Sequence, residues 1–323
     1  MGSDMATPLV EGIRLCKYFK TPKGQLHAVE DVNFKVFEGK TLGVVGESGC
    51  GKSTLGRTVL RLEKATSGQV LFKGENILKF GRKDMQKVQR NMQMIFQDPY
   101  SSLDPRMSIR ALITEPLLVI EDKEKISSGE VKERVDAIMD MCGLPPNYSN
   151  LYPHELDGGM RQRVGLARSM VLDPKFIVCD EPVSALDVSI QAQILNLLMD
   201  LQDSQELSYM FITHDLAVVR HISDEIMVMY MGQVVEYTSS KELFAHPLHP
   251  YTRALLNSIP TIDLSRRNRE RVTISGEVSS PINPTSGCRF APRCPYAKEA
   301  CKTSHVLKEV CPGHLVSCTE GAK

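Results

Sequence analysis

The chain has 323 residues, 42% of them hydrophobic and 24% charged, which is ordinary globular composition with enough apolar material for a sizeable core. Its 39 basic residues are matched by 39 acidic ones, so overall charge gives no argument for a nucleic-acid partner or for electrostatic membrane binding. Any anion this chain binds must be held by a local site.

In chain order, the opening residues MGSDM lack the basic and apolar regions of a secretory signal, so the cytosol is the expected compartment. Nine cysteines are accordingly read as reduced thiols and not as a disulfide framework. From about Val10 to about Tyr237, short β-branched runs alternate with longer helical patterns, which predicts an α/β domain around a mostly parallel sheet. Strands are expected at Thr41–Val45, Phe176–Cys179, Met210–Thr213 and Ile226–Tyr230, each apolar almost throughout, as strands covered on both faces are. Between about Gln97 and Val171 the strand signal fades into a helical insertion, with loops expected at Ser127–Gly129 and Pro145–Tyr148. Its longest apolar run, Ala111–Ile120, is broken by Glu115 and Pro116 and falls short of the roughly 18 residues of a spanning helix. After His246–Tyr251 come a short helix, the charged run Arg266–Arg271, and a Pro- and Cys-rich tail read as a separate appendage.

Three segments carry chemistry. GESGCGKST, Gly46 to Thr54, follows a strand, opens a helix, and matches the phosphate-loop spacing of Gly, four residues, Gly-Lys-Ser. Gly46, Gly49 and Gly51 let backbone N–H groups turn inward around phosphates, Lys52 reaches the β- and γ-phosphates, and Ser53 can ligate Mg²⁺. FIVCDE, Phe176 to Glu181, ends an apolar strand in two carboxylates, Asp180 for the Mg²⁺ shell and Glu181 to accept a proton from water. LDGGMRQR, Leu156 to Arg163, reads as a helix start with Asp157 at the N-cap. Gln97 and His214 each end an apolar run where polar chemistry could use them, although either residue type often does no more than cap a strand.

Together with the loop Pro182–Asp187, these segments resemble the nucleotide-binding subunit of ATP-binding cassette (ABC) transporters over about Leu9 to Tyr237. More narrowly, IFQDPYSSLDPR (Ile95 to Arg106), HPYTRALLNSIP (His249 to Pro260) and the cysteine tail look like the cassettes of bacterial oligopeptide and dipeptide importers. The resemblance implies an ABC-type P-loop core over residues 6–258, with a helical subdomain at about 97–171 and a Cys-rich extension over 259–323. It also implies a cassette pair in which each ATP lies between the phosphate loop of one subunit and the signature helix of the other. Gly46, Ser48, Gly49, Cys50, Gly51, Lys52, Ser53 and Thr54 would bind ATP, with Phe19, or Tyr18 beside it, stacking on adenine. Ser53, Gln97 and Asp180 would serve Mg²⁺, Glu181 would be the general base, His214 would contact the γ-phosphate, and Asp187 would lie at the subunit interface. Asp157, Gly158, Gly159 and Met160 would form the signature presented to the partner.

The implied partners are two transmembrane permease subunits, an extracytoplasmic solute-binding protein and a second ATPase subunit at the cytoplasmic face of the membrane, without nucleic acid. The same machinery imports nickel and other small solutes, so the solute is not written in this chain. A soluble cassette acting on ribosomes or DNA usually has two cassettes or a long coiled insertion, and this sequence has neither.

Cys288, Cys294, Cys301 and Cys318 are separated by five, six and sixteen residues among Pro, Gly and charged neighbours. Soft thiolates in such a segment point to a metal. The resemblance favours a 4Fe-4S cluster over Zn²⁺, whose sites more often show close Cys pairs, and leaves Cys311 as a spare or an alternative ligand. Position 157 is normally Ser in the resembled family, where its hydroxyl contacts the γ-phosphate. An ionised carboxylate cannot donate that bond, and like charges about 4 Å apart repel by about 4 kcal/mol at an effective dielectric near 20. The defect falls on the partner's ATP, which predicts a heterodimer with a different cassette in which this chain's own site does the turnover.

Overall fold

A computed structural model describes residues 7–121, 127–258, 280–284, 286–303 and 306–318. The expected boundaries at 6 and 259 and the charged run Arg266–Arg271 lie outside the described residues. The chain forms two compact units, one of residues 1–79 with 211–323 and one of residues 80–210.

In the first unit, β1 (Val10–Thr21) and β2 (Gly24–Val36) form an antiparallel hairpin, and β4 (Ser67–Phe72) and β5 (Glu75–Asn76) extend it in the order β2-β1-β4-β5. Val32, Phe34 and Val36 are buried while Asp31, Asn33 and Lys35 between them are exposed, the alternation of a sheet with one covered face. The second sheet of this unit runs β11-β12-β10-β9-β3. Strand β3 (Thr41–Val45) is buried at every residue and pairs in parallel with β9 (Glu225–Tyr230); β10 (Gln233–Ser239) then returns antiparallel. Helix α1 (Lys52–Val59) follows β3, while α8 (Leu216–Ile222), α9 (Ser240–Ala245) and α10 (Pro250–Asn257) complete the unit.

The tail is not a separate appendage. Strands β11 (Lys308–Cys311) and β12 (His314–Val316) continue the sheet, with Val316 opposite Glu236 and Leu315 opposite Tyr237. The added strands occupy the edge that β10 would otherwise leave open, and unpaired strand edges are costly. His314 Nε2 meets Glu236 Oε1 at 2.8 Å with the two side chains 2% and 0% exposed. Phe290 is buried among Tyr230 and Tyr251, each at a ring-centroid distance of 5.3 Å.

In the second unit, α2 (Arg82–Asn91) leads into β6 (Met92–Ile95), which pairs in parallel with β7 (Phe176–Asp180). Between them the described residues form only helices: α3 (Pro99–Ser102), α4 (Ile109–Glu121), α5 (Ser128–Met141), two short 3-10 turns and α6 (Gly158–Met170). Helix α7 (Val188–Gln205) follows, and β8 (Ser208–Thr213) carries the chain from this unit into the first. The unit is thus wider than the insertion expected at 97–171, because it includes the β6–β7 pair that frames the helices. Ser127 is the N-cap of α5, closed by a reciprocal bond with Glu130, so Ser128 and Gly129 are already helical where a loop was expected. Pro146–Asn150 is a 3-10 turn. Among the described residues no helix is long and apolar enough to cross a membrane.

Candidate functional site: a phosphate loop, a carboxylate strand end and a capped signature helix

The loop Gly46–Gly51 joins β3 to α1 in the first unit. Gly46 has φ 155° and Gly51 φ 107°, conformations that L side chains rarely adopt. A Cβ on Gly46 would lie 2.2 Å from the Met229 carbonyl oxygen, and one on Gly51 2.0 Å from that of Ala28, whereas Gly49 faces open space. The buried Lys52 ammonium donates to the carbonyl oxygens of Gly46 at 2.7 Å and Glu47 at 3.0 Å, which curls the loop around its own cation. Cys50 packs inward, and burial pushes its thiol pKa up.

The loop is also held from outside. The Glu47 N–H donates to the Tyr251 hydroxyl at 2.8 Å, and its carboxylate accepts from Arg293 Nη1 at 2.9 Å. The Gly232 N–H donates to the Cys50 carbonyl at 2.7 Å. Glu47, Tyr251 and Arg293 were not picked out by motif spacing; the signal in the sequence was an arginine placed directly before Cys294. In the same unit, exposed His214 follows β8, just before Asp215 caps α8 through bonds from Ala217 and Val218.

The two aromatic candidates for adenine differ in how they are engaged. Tyr18 stacks on His27 with ring centroids 4.1 Å apart, and its hydroxyl donates to Glu30 Oε1 at 2.5 Å. Burial alone would raise the Glu30 pKa, but bonds from Tyr18 and His27 and the nearby Arg289 guanidinium outweigh it and lower it. Phe19 is half-buried, with the Lys17 ammonium over its ring at 4.4 Å.

In the second unit, Asp180 ends β7 fully buried and Glu181 follows at φ 47°, a left-handed conformation unusual for a non-glycine residue and often stored at functional sites. Gln97 Nε2 donates to Glu181 Oε2 at 3.0 Å, so these two predicted residues meet. Asp157 caps α6 as expected: its Oδ1 accepts from the Met160 N–H at 2.8 Å. A Cβ on Gly159 would lie 2.7 Å from Ile190 Cγ2, so any larger residue there would have to push that side chain aside. Asp187 caps α7 through the Ile190 N–H at 3.0 Å and is itself exposed.

Cys288, Cys294, Cys301 and Cys318 line one cavity with His249, Phe290 and Tyr296, while Cys311 is exposed on β11 and does not line it. The four share a wall without forming a ligand set: among the described residues no group of three or more His, Cys, Asp or Glu is arranged to hold a metal ion. Burial pushes the Cys288 thiol up to about 11, and neighbouring Cys301 and Cys318 act in the same direction.

Comparison with known proteins agrees with this arrangement. A family model described as ABC transporter matches residues 29–184, and one described as oligopeptide/dipeptide transporter, C-terminal region, matches residues 235–301. The oligopeptide transport ATP-binding protein AppF of Bacillus subtilis (strain 168) is 49% identical over 303 residues, 93% of this chain and 91% of that protein. The dipeptide transport ATP-binding protein DppF of Haemophilus influenzae is 46% identical over 97% of this chain and 96% of its own length. Among solved structures, cbiO1 from Clostridium perfringens, part of the ABC transporter complex cbiONQ, superposes with a TM-score of 0.65 at 27% identity, covering 74% of this chain and 91% of that one. The dimeric ABC cassette MJ0796 superposes with a TM-score of 0.65 at 26% identity, covering 72% and 98%. The phosphate loop, the carboxylate strand end and the two matching family models place the conclusion beyond fold likeness alone: this chain belongs to the ABC transporter family and is an ATP-hydrolysing subunit of its oligopeptide/dipeptide branch.

Proposed function

We propose that this subunit energises import of di- and oligopeptides from the cytoplasmic face of the membrane, paired with two permease subunits and served by an extracytoplasmic solute-binding protein. The observation that carries the reading is the coexistence in one chain of the cassette match and the oligopeptide/dipeptide transporter C-terminal match. Co-purification from the native membrane tests it: permease and peptide-binding chains are the expected partners, and ribosomal partners would overturn it.

At the chemical level, Gly46, Ser48, Gly49, Cys50, Gly51 and Thr54 wrap the triphosphate with backbone and hydroxyl donors, and Lys52 neutralises β- and γ-phosphate charge. Ser53, Gln97 and Asp180 would hold Mg²⁺, which supplies charge neutralisation between the phosphates. Glu181 accepts the proton of the attacking water, His214 steadies the γ-phosphate, and Gln97, already bonded to Glu181, orients the base. Phosphoryl transfer to water needs positioning more than covalent help, which suits this constellation. Phe19 is the base-stacking ring, since Tyr18 is committed to His27 and Glu30.

The signature supports a heterodimer. Asp157 can only accept, and its Oδ1 is already bonded to Met160, so Asp157, Gly158, Gly159 and Met160 present a carboxylate where the partner's γ-phosphate needs a donor. A different cassette with an intact signature completes this chain's site, with Asp187 at the interface.

Cys288, Cys294, Cys301 and Cys318 would hold a 4Fe-4S cluster, which would supply a redox-active centre in the tail. Four thiols on one cavity support that reading. Zn²⁺ is the alternative occupant, and its sites more often show the close Cys pairs that this tail lacks. Iron and acid-labile sulfide are expected in anaerobically purified protein; no metal would refute the cluster.

A further inference from the structure

The tail reaches the phosphate loop through two arginines four residues apart. Arg293 and Arg289 lie within the Cys288–Cys294 segment, and their side chains are only 8% and 5% exposed. Buried guanidinium groups are costly unless paired, so what they pair with is informative. Arg293 spans both oxygens of the Glu47 carboxylate, Nη1 to Oε2 at 2.9 Å and Nη2 to Oε1 at 3.4 Å, and Nη1 also donates to the Tyr230 hydroxyl at 3.2 Å. Glu47 is the second residue of the loop. Its N–H is held by Tyr251, its carbonyl by Lys52 and its carboxylate by Arg293, so each of its polar groups is fixed. Two of those three holds come from outside the loop, and Tyr230 and Tyr251 both pack on Phe290, three residues before Arg293.

Arg289 acts at the other end. It donates to Glu30 Oε2 at 2.9 Å and to the Met231 carbonyl, next to Gly232, whose N–H holds the Cys50 carbonyl at 2.7 Å. The loop between these anchors contains glycines at φ 155°, 77° and 107°, residues with wide conformational freedom. A binding loop of that composition gains affinity when its ordering cost is met before the ligand arrives.

We propose that Arg293 is a positioning residue for the phosphate loop, fixing it through Glu47, with Arg289 bracing the Met231–Gly232 turn, so that nucleotide affinity depends on the C-terminal tail. The proposal rests on the reading that this loop holds the triphosphate. Bidentate geometry makes the arginine specific: a lysine offers one point of attachment where the carboxylate receives two.

The test uses the full-length chain, measuring equilibrium binding of a fluorescent ATP analogue and amide hydrogen exchange over Gly46–Thr54. Arg293→Ala is expected to weaken binding about tenfold, the scale of one charge-assisted bond, and to speed loop exchange by a similar factor. In the assembled transporter KM for ATP rises accordingly, while kcat at saturating ATP stays within about twofold. Arg293→Lys recovers part of the loss. Should Arg293→Ala fail to fold, Glu47→Gln removes the same ion pair from its more exposed side and is expected to shift binding and exchange in the same direction. Unchanged binding and exchange in the folded Arg293 variant, or in Glu47→Gln, would overturn the brace. Lys52→Ala separates the two levels: if it kept full ATP binding, the phosphate-loop reading itself would fall, whereas loss in Lys52→Ala with none in Arg293→Ala removes the brace alone.

Discussion

Replacing Asp157 by serine or alanine separates what the residue does for the helix from what it does for nucleotide. Asp157 is exposed, and its side chain caps α6 by accepting at Oδ1 from the Met160 N–H at 2.8 Å. Serine caps a helix about as well as aspartate, so Asp157→Ser should change stability by no more than about 0.5 kcal/mol. Asp157→Ala removes the cap and should cost about 1 kcal/mol. Against a γ-phosphate held by a partner subunit the electrostatic scale is larger, about 4 kcal/mol per charge pair at about 4 Å and an effective dielectric near 20, reduced by Mg²⁺ and lysine on the same phosphate. Thermal unfolding of the chain gives the first quantity and ATP turnover of the assembled transporter the second. The expected pattern is an unchanged melting temperature with equal or higher turnover for Asp157→Ser, and a lower melting temperature for Asp157→Ala. A clear fall in turnover for Asp157→Ser would refute the reasoning, since it would show the carboxylate contributing to activity.

Other perturbations test the supports of the site. Gly46→Ala places a Cβ 2.2 Å from the Met229 carbonyl oxygen at φ 155°, so ATP binding should be lost, and calorimetric titration with ATP checks this. His314→Ala leaves the fully buried Glu236 with only the Leu248 and His249 N–H groups, and should destabilise the chain by about 2–3 kcal/mol in denaturant unfolding. The Glu30 pKa lies below its ordinary 4.5, so its contribution is present above that value and fades as pH falls through the lower folded-state pKa. Glu30→Gln should therefore flatten the acid limb of the stability profile below about pH 4.5.

The parts of the fold legible in the sequence are those where local pattern and tertiary environment agree. Val44 and Val45 in β3 and Ile177 and Val178 in β7 are buried on both faces, so an unbroken apolar run was enough to find the strands. The four-stranded antiparallel sheet went unread because β1 mixes Lys17, Tyr18 and Lys20 with its apolar residues and carries register shifts that break the alternation. The tail's place in the sheet went unread for a similar reason: β12 has three residues and is fixed by the buried His314–Glu236 pair, a contact 78 residues apart in the chain. Motif spacing located Lys52, Asp157, Asp180 and Glu181, whose positions follow from neighbours in sequence. It could not locate Arg293, whose pairing with Glu47 depends on a fold that brings residue 293 to residue 47.

The central claim is that this chain's own site performs the turnover, with Glu181 as the base. ATP hydrolysis by the assembled transporter carrying Glu181→Gln in this subunit alone tests it most directly. General-base catalysis is worth roughly 100- to 10,000-fold, so turnover should fall by at least about a hundredfold while ATP binding persists; retention of more than about half the activity would contradict the account and assign the work to the other site.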